Sequence, residues 1–320
     1  MRWRAKGTEL KPGISVVLPV FNEIGHVASE IDRIRKSLEA AERSYELIVV
    51  DDGSTDGSAD VLDQFEGVRT LRLPYNQGVG VARRWGTEMA RGEVVVWTDC
   101  DMTYPNDQIH RLVDHLDGYD QIVGSRRYEG QSESIPRRLA KWIIRRLASY
   151  LTRYHIPDLN SGYRAFRKDV AEQFLSLLPR GFSCVTTLTM AFLTNGYSVA
   201  YTPIEYQPRS GKSKFHWRSD TRRYALQVIR MAAMWEPLRV FVPISGLLAI
   251  VGLGTLTAHA LSTGLDLAIY TLVFFTLAFA VALLGITVDV LVQLNRRSGT
   301  VLPAARRLSP DEVEGESEQW

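Results

Sequence analysis

The chain has 320 residues, 45% of them hydrophobic and 23% charged, and 38 Lys and Arg against 36 Asp and Glu leave a net charge of +2. That balance excludes a disordered chain, a collagen-like repeat, a global polycation and a many-helix transporter. Two cysteines, Cys100 and Cys184, exclude a disulfide framework and a Cys-based zinc site and fit a reducing cytosol.

Residues 1–13 are an N-terminal extension with no apolar signal core, so the chain up to 239 is expected in the cytosol. ISVVLP (14–19) reads as a strand ending at Pro19, and Ile24, Val27, Ile31, Ile34 and Leu38 then recur at helical spacing over 24–42. ELIVVDD (46–52) is a buried strand ending in two aspartates, followed by the turn GSTDGS and a helix. VRTLRL (68–73) is a third strand, NQGVG (76–80) a glycine-rich turn, and 79–92 a helix closed by Gly92. EVVVWTDCD (93–101) is a fourth strand ending in acids; a helix over NDQIHRLVDHL and a fifth strand, YDQIVGSR, follow. Such alternation predicts a parallel α/β sheet covered on both faces, with ligands at the carboxyl ends of its strands. Asp51 with Asp52, and Asp99 with Asp101, stand at two such ends.

Residues 135–155 carry six Lys or Arg and no acid, mixed with Trp142, Ile143, Leu147, Tyr150 and Tyr154. This predicts an amphipathic helix on an anionic membrane surface; a solvated basic face is the plainer alternative. Residues 209–239 hold eight Lys or Arg against Asp220 and Glu236, which predicts a juxtamembrane helix over 216–239. Residues 240–265 and 267–288 contain no Asp, Glu, Lys or Arg, long enough for a two-helix transmembrane hairpin over 240–294. The turn near 262–266 has no Lys or Arg while both flanks do, so the catalytic part and both termini are expected on the cytoplasmic side of a bacterial inner membrane. Basic segments bordering a hairpin point to lipid headgroups rather than nucleic acid. Residues 295–320 form a cytoplasmic tail with five acids in its last twelve positions, and disorder is expected there.

D-x-D at 99–101 offers two carboxylates to a hard divalent cation, Mg²⁺ or Mn²⁺, whose shell diphosphate and water would complete. The six histidines show no metal-ligand spacing, Cys100 reads as a small buried residue, and Arg83-Arg84-Trp85 is discounted because it precedes the acidic motif within a helix.

SVVLPVFNE, VVDDGSTDGS and TDCDMTYP resemble the inverting family 2 glycosyltransferases, which carry a GT-A, Rossmann-like nucleotide-diphosphosugar domain. DLNSGYRAFRKDV (158–170) and YQPRSGKSKF (206–215) resemble its polyprenyl-phosphate branch, which includes dolichyl-phosphate mannose synthases. The match runs from about 14 to 215 and sets the catalytic domain there. The resemblance implies nucleotide-sugar contacts from Pro19, Phe21, Glu23, Val50, Asp52, Gly80 and Asp99, and metal held by Asp99 and Asp101. It implies that Arg126 and Arg164 face phosphate, that Arg209, Lys212, Ser213 and Lys214 close over the reacting groups, and that Asp158 positions the acceptor or its cationic partners. The implied reaction moves a hexosyl group from a UDP- or GDP-sugar to a polyprenyl phosphate with inversion. Thr103-Tyr104 stands where many relatives carry Gln-His, so no role of that glutamine carries over. The alternatives are a family 2 transferase acting on a glycan hydroxyl and a non-catalytic membrane scaffold. Oligomeric state stays open.

Overall fold

A computed structural model of the chain describes residues 2–4, 12–126, 135–207, 217–263 and 269–298. It divides into two units, one up to Gln227 and one from Val228. The elements of the first are, in chain order, β1 (Arg2–Arg4), β2 (Ile14–Val20), α1 (Val27–Ala40), β3 (Tyr45–Asp51), α2 (Ser58–Leu62), β4 (Val68–Arg72), α3 (Val79–Met89) and β5 (Val94–Trp97). They continue with α4 (Ile109–Asp114), β6 (Gln121–Arg126), α5 (Ile135–Thr152), β7 (Arg164–Arg167), α6 (Lys168–Glu172), α7 (Cys184–Thr194) and β8 (Val199–Ile204).

One sheet runs β1-β4-β3-β2-β5-β7-β6-β8. β2 pairs in parallel with β3 and β5, and β3 with β4. The expected all-parallel sheet is corrected at β7, which lies antiparallel to both β5 and β6, and at β1, antiparallel to β4. β7 is Arg-Ala-Phe-Arg, too short and too charged at its ends to show a period of two.

Alternation along β2 explains how the sheet is covered. Ile14, Val16, Leu18 and Val20 join Leu47, Val49 and the α1 residues Val27, Ile31, Ile34 and Leu38 in one buried core. Each such side chain, fully buried, contributes about 1.5–3 kcal/mol. Val17 faces the other side, against α3, where a Cβ on Gly86 would come 2.3 Å from Val17 Cγ1. Trp97, Phe166 and Phe192 fill that side edge-to-face, with centroids 5.1 and 6.4 Å apart. β3 lies on one side of β2 and β5 on the other. The carboxyl ends of β2 and β5 therefore border the point where the strand order reverses, and there an open α/β sheet leaves a crevice.

Helix α8 (Trp217–Trp235) crosses the boundary between the units. In the second unit, α9 (Leu238–Thr263) and α10 (Ile269–Ser298) contain apolar spans of 24 and 26 residues with mean hydropathies of 2.0 and 2.4. At about 1.5 Å per residue each exceeds the roughly 30 Å of a bilayer core. The pair is antiparallel: Gly285 packs on Phe241, Gly252 on Phe274, Ser245 donates to the Ala278 carbonyl at 2.8 Å, and Thr255 meets Thr271 at 3.1 Å. Small residues at these crossings let the backbones approach, and the hydroxyls find partners within the hairpin.

Candidate active site

The loop after β2 and the loop after β3 are tied together by side chains of the GSTDGS turn. Ser54 Oγ accepts the Asn22 N–H at 2.9 Å, Ser58 Oγ accepts that of Glu23 at 3.0 Å, and Asp56 Oδ2 accepts that of Ile24 at 3.0 Å. Asn22 Oδ1 in turn accepts from the Thr55 N–H at 2.8 Å. Burial works against the Asp56 carboxylate, yet the Ser58 hydroxyl and the Ile24 and Ser58 amides hold it below its usual range. Phe21 and Glu23 are thereby set partly exposed at the crevice, and Pro19 is half-buried beside Val50.

Asp52 is buried and spans the next turn: Oδ1 accepts the Gln77 N–H at 2.7 Å and Oδ2 that of Gly78 at 2.8 Å. Burial raises its pKa, and those two amides oppose the rise. Gly78 has φ 100°, and a Cβ there would lie 2.4 Å from the Arg180 carbonyl oxygen. Gly80 is buried with its N–H on that same oxygen at 2.8 Å. Val50 is fully buried within β3. Of the expected nucleotide contacts, then, Phe21 and Asp99 are partly accessible, the Glu23 carboxylate lies 2.9 Å from His26 Nδ1 on a side chain 13% exposed, and Val50, Asp52 and Gly80 are buried.

The acidic motif follows β5. Asp99 Oδ1 accepts from Arg83 Nη2 at 2.7 Å, and Asp101 Oδ1 accepts from the Thr103 hydroxyl at 2.5 Å. Met102, just after the motif, takes a left-handed φ of 64°. Beneath, Asn106 donates to the buried Glu30 carboxylate at 2.6 Å and to the Asp99 carbonyl at 3.3 Å, while Thr98 donates to Asn106 Oδ1 at 2.5 Å. The Cys100 thiol reports the local field: burial pushes its pKa up, and Glu30, Glu23, Asp101 and Asp99 push it further. Among the described residues no three acidic, His or Cys side chains form a metal cage. Two carboxylates still suit a hard cation that takes its other oxygens from a diphosphate and water. The residues present fit Mg²⁺ or Mn²⁺ on those terms.

Arg83 is the residue that sequence reasoning set aside. It is 2% exposed, bonded to Asp99, 3.6 Å from Cys184 Sγ, and its guanidinium lies 5.3 Å from the centre of the Trp97 ring. Burial opposes its charge, but Asp99, Cys184 and Tyr104 together raise its pKa above the usual arginine value. Its signal was available: on α3 the buried residues are Gly80, Ala82, Arg83, Gly86 and Thr87, and an arginine among small residues on a buried face requires an anionic partner.

Arg126 and Asp158 form a bidentate pair: Nε to Oδ2 at 2.7 Å and Nη2 to Oδ1 at 2.9 Å. Burial works against the Asp158 carboxylate, and Arg126 with the Asn160 and Arg126 amides holds it below the usual range. Tyr104 is buried and its hydroxyl accepts the Gly162 N–H at 2.8 Å, which joins the acidic loop to the SGYR loop. Arg164, expected to face phosphate, lies in the interior of the unit. It is fully buried, Nη1 donating to the Val185 carbonyl at 2.8 Å and to Thr189 Oγ1 at 2.9 Å, with Nη2 on the Ser161 carbonyl. Burial, and then Arg83 nearby, bring its pKa down to about 10. Arg209, Lys212, Ser213 and Lys214 lie outside the described residues.

Residues 15–175 match the model of glycosyl transferase family 2. An undecaprenyl-phosphate 4-deoxy-4-formamido-L-arabinose transferase of Proteus mirabilis is 31% identical over 247 residues, 75% of this chain and 73% of that one. A dolichyl-phosphate hexose transferase of Haloferax volcanii is 33% identical over 207 residues, 63% of this chain and 86% of that one. In fold, the chain is similar to glucosyl-3-phosphoglycerate synthase of Mycobacterium tuberculosis, solved with Mn²⁺, UDP-glucose and phosphoglyceric acid, at TM-score 0.55 and 20% identity over 69% of this chain and 80% of that one. With the mixed sheet, the acidic motif at its switch point and these relatives together, the chain belongs to glycosyl transferase family 2, in its polyprenyl-phosphate glycosyltransferase branch, on a GT-A fold.

Proposed function

We propose that this enzyme transfers a hexosyl group from a nucleotide-diphosphosugar to a polyprenyl phosphate, with inversion. The observation that carries the reading is the pairing of two charge systems at the carboxyl ends of β5 and β6: Asp99 and Asp101 held by Arg83 and Thr103, and Arg126 held by Asp158. An acceptor phosphate oxygen attacks the anomeric carbon, the bond from that carbon to the diphosphate oxygen breaks, and a nucleoside diphosphate leaves. The nucleophile is already ionised at neutral pH, so no base is needed. Asp158, bound bidentately to Arg126, suits a positioning part rather than proton transfer. The obstacle is repulsion between anionic partners, about 4 kcal/mol for two unit charges 4 Å apart at an effective dielectric of 20. Arg126, and Arg209, Lys212 and Lys214 by the resemblance, would offset it. A divalent cation at Asp99 and Asp101, when bound, neutralises the leaving diphosphate.

The acceptor's headgroup sits at a bilayer surface, which gives the apolar hairpin a purpose as tether. Helix α5 supports membrane contact, with Leu139, Trp142, Ile143 and Tyr150 about half exposed beside exposed Arg138, Arg145 and Arg146. We assign the catalytic part and both termini to the cytoplasmic side on the distribution of Lys and Arg. The test is transfer from a labelled donor to polyprenyl phosphate with Mg²⁺ or Mn²⁺. Asp101→Asn should lower the rate by about 10²-fold or more, and the product should have inverted anomeric configuration. A retained configuration would overturn the displacement.

A further inference from the structure

The turn that carries the acidic motif is gripped on both sides by one ion pair of α1. The buried face of that helix is otherwise Val27, Ile31, Ile34, Ser37 and Leu38, yet it includes Glu30, whose side chain is fully buried. Glu30 Oε1 accepts from Arg33 Nη1 at 2.9 Å, and Oε2 accepts from Asn106 Nδ2 at 2.6 Å. Asn106, itself fully buried, reaches back to the start of the motif. Its Nδ2 donates to the Asp99 carbonyl at 3.3 Å, and its Oδ1 accepts from the Thr98 hydroxyl at 2.5 Å. Arg33 takes the segment after the motif, Nη2 donating to the Tyr104 carbonyl at 3.2 Å and to Asp107 Oδ1 at 2.5 Å. Between the two grips stand Asp101 and Met102, the latter at a φ of 64°. A left-handed backbone at a residue with a side chain is unfavourable and persists only where its surroundings hold it.

We infer that Glu30 and Arg33 are positioning residues for the divalent cation: as one clamp, through Asn106 and the Tyr104 carbonyl, they hold the strained turn that presents Asp99 and Asp101 to it. This rests on the proposed metal site at those two aspartates. A buried carboxylate carries a desolvation cost that an apolar residue at the same place would avoid, so packing of α1 does not account for Glu30. What it gains is direction, since its two oxygens fix two partners, one serving each side of the turn. Two carboxylates that share a cation repel in its absence, and a loose turn would let them part. Clamped, they meet the ion without rearrangement.

The test uses the full chain in phosphatidylcholine nanodiscs, with Mn²⁺ alone as probe and free Mn²⁺ read by electron paramagnetic resonance. Glu30→Gln, which keeps the shape and removes the charge, and Arg33→Met should each raise the Mn²⁺ Kd by about three- to tenfold. That is less than the roughly 10–100-fold typical of a residue bonded directly to a metal ligand. The double variant should lose less than the product of the single losses, since both break one clamp. Arg33 is 25% exposed, so Arg33→Lys carries the test should the buried Glu30→Gln fail to fold. Its ammonium cannot hold Glu30, the Tyr104 carbonyl and Asp107 together, and its Kd should rise as well. Ile34→Val, on the same buried face, separates positioning from stability: it should lower the melting temperature and leave the Mn²⁺ Kd at the wild-type value. Wild-type Mn²⁺ binding in folded Glu30→Gln or Arg33→Lys, independent losses in the double variant, or an equal rise in Ile34→Val would overturn the inference. Asp101→Asn separates the two levels. If it leaves Mn²⁺ binding unchanged, the metal assignment itself fails; if it abolishes binding while Glu30→Gln and Arg33→Lys bind as wild type, only the inference about the clamp fails.

Discussion

Arg83 and Asp158 hold the same kind of position from opposite signs: each is a buried charge whose partner is a candidate site residue. Arg83→Met should therefore lower the transfer rate, because Asp99 loses its fixed partner, while the stability loss should stay below the cost of breaking a fully buried pair, about 3–5 kcal/mol, since Asp99 keeps access to solvent. Arg83→Lys should recover part of the stability and little of the rate, since an ammonium cannot reproduce the guanidinium's contacts with Asp99, Cys184 and Trp97 together. Rate assays and thermal melts check both. Asp158 gives a pH prediction with a definite sign. Its folded pKa lies below its unfolded one, so its contribution is present above the unfolded value, near 3.9, and is lost as pH falls through the lower folded value. Asp158→Asn should remove that acid-side slope in pH-dependent melts; an unchanged slope would contradict the pairing. The sequence marked Asp99, Asp101, Arg126 and Asp158 because acids at strand ends and family motifs are visible in one dimension. It hid the Arg83 contact, which joins residues 16 positions apart, and the burial of Arg164, because neither leaves a trace in spacing.

At the scale of elements, α1, β2, β3 and β5 were legible, since long apolar periods dictate them. β7 and β8 were not. β7 is four residues long with charged ends, and β8 is a largely half-exposed strand whose pairing depends on β6, far away in sequence. The close crossing of α3 on β2 was equally silent, although Gly86 enforces it. Gly86→Ala should cost about 1–3 kcal/mol by overpacking against Val17, measured by melting, with transfer per folded molecule little changed. Helix α5 carries the membrane prediction. A nitroxide on Ile143→Cys, with the full chain in nanodiscs, should collide with oxygen more than with a water-soluble nickel chelate. The reverse order would place that face in water.

For the whole molecule, the near-neutral composition averages unlike parts. A mixed α/β unit with a charged sheet edge is followed by two helices with apolar spans of 24 and 26 residues, which together contain one acid, Asp289. The hairpin was readable because an uncharged apolar run of about 20 residues matches the thickness of a bilayer core and exceeds what most buried helices need. The sugar was not, because pocket shape rather than motif selects a hexose. Everything proposed for the charged edge of the sheet depends on transfer to a lipid phosphate. The most direct measurement offers labelled UDP- and GDP-sugars, one at a time, with polyprenyl phosphate and Mg²⁺ or Mn²⁺ to the full chain, and follows label into the organic phase. A single organic-soluble product carrying one sugar per polyprenyl phosphate is expected. Label found instead in a growing glycan or in a water-soluble acceptor, with none on the lipid, would contradict it.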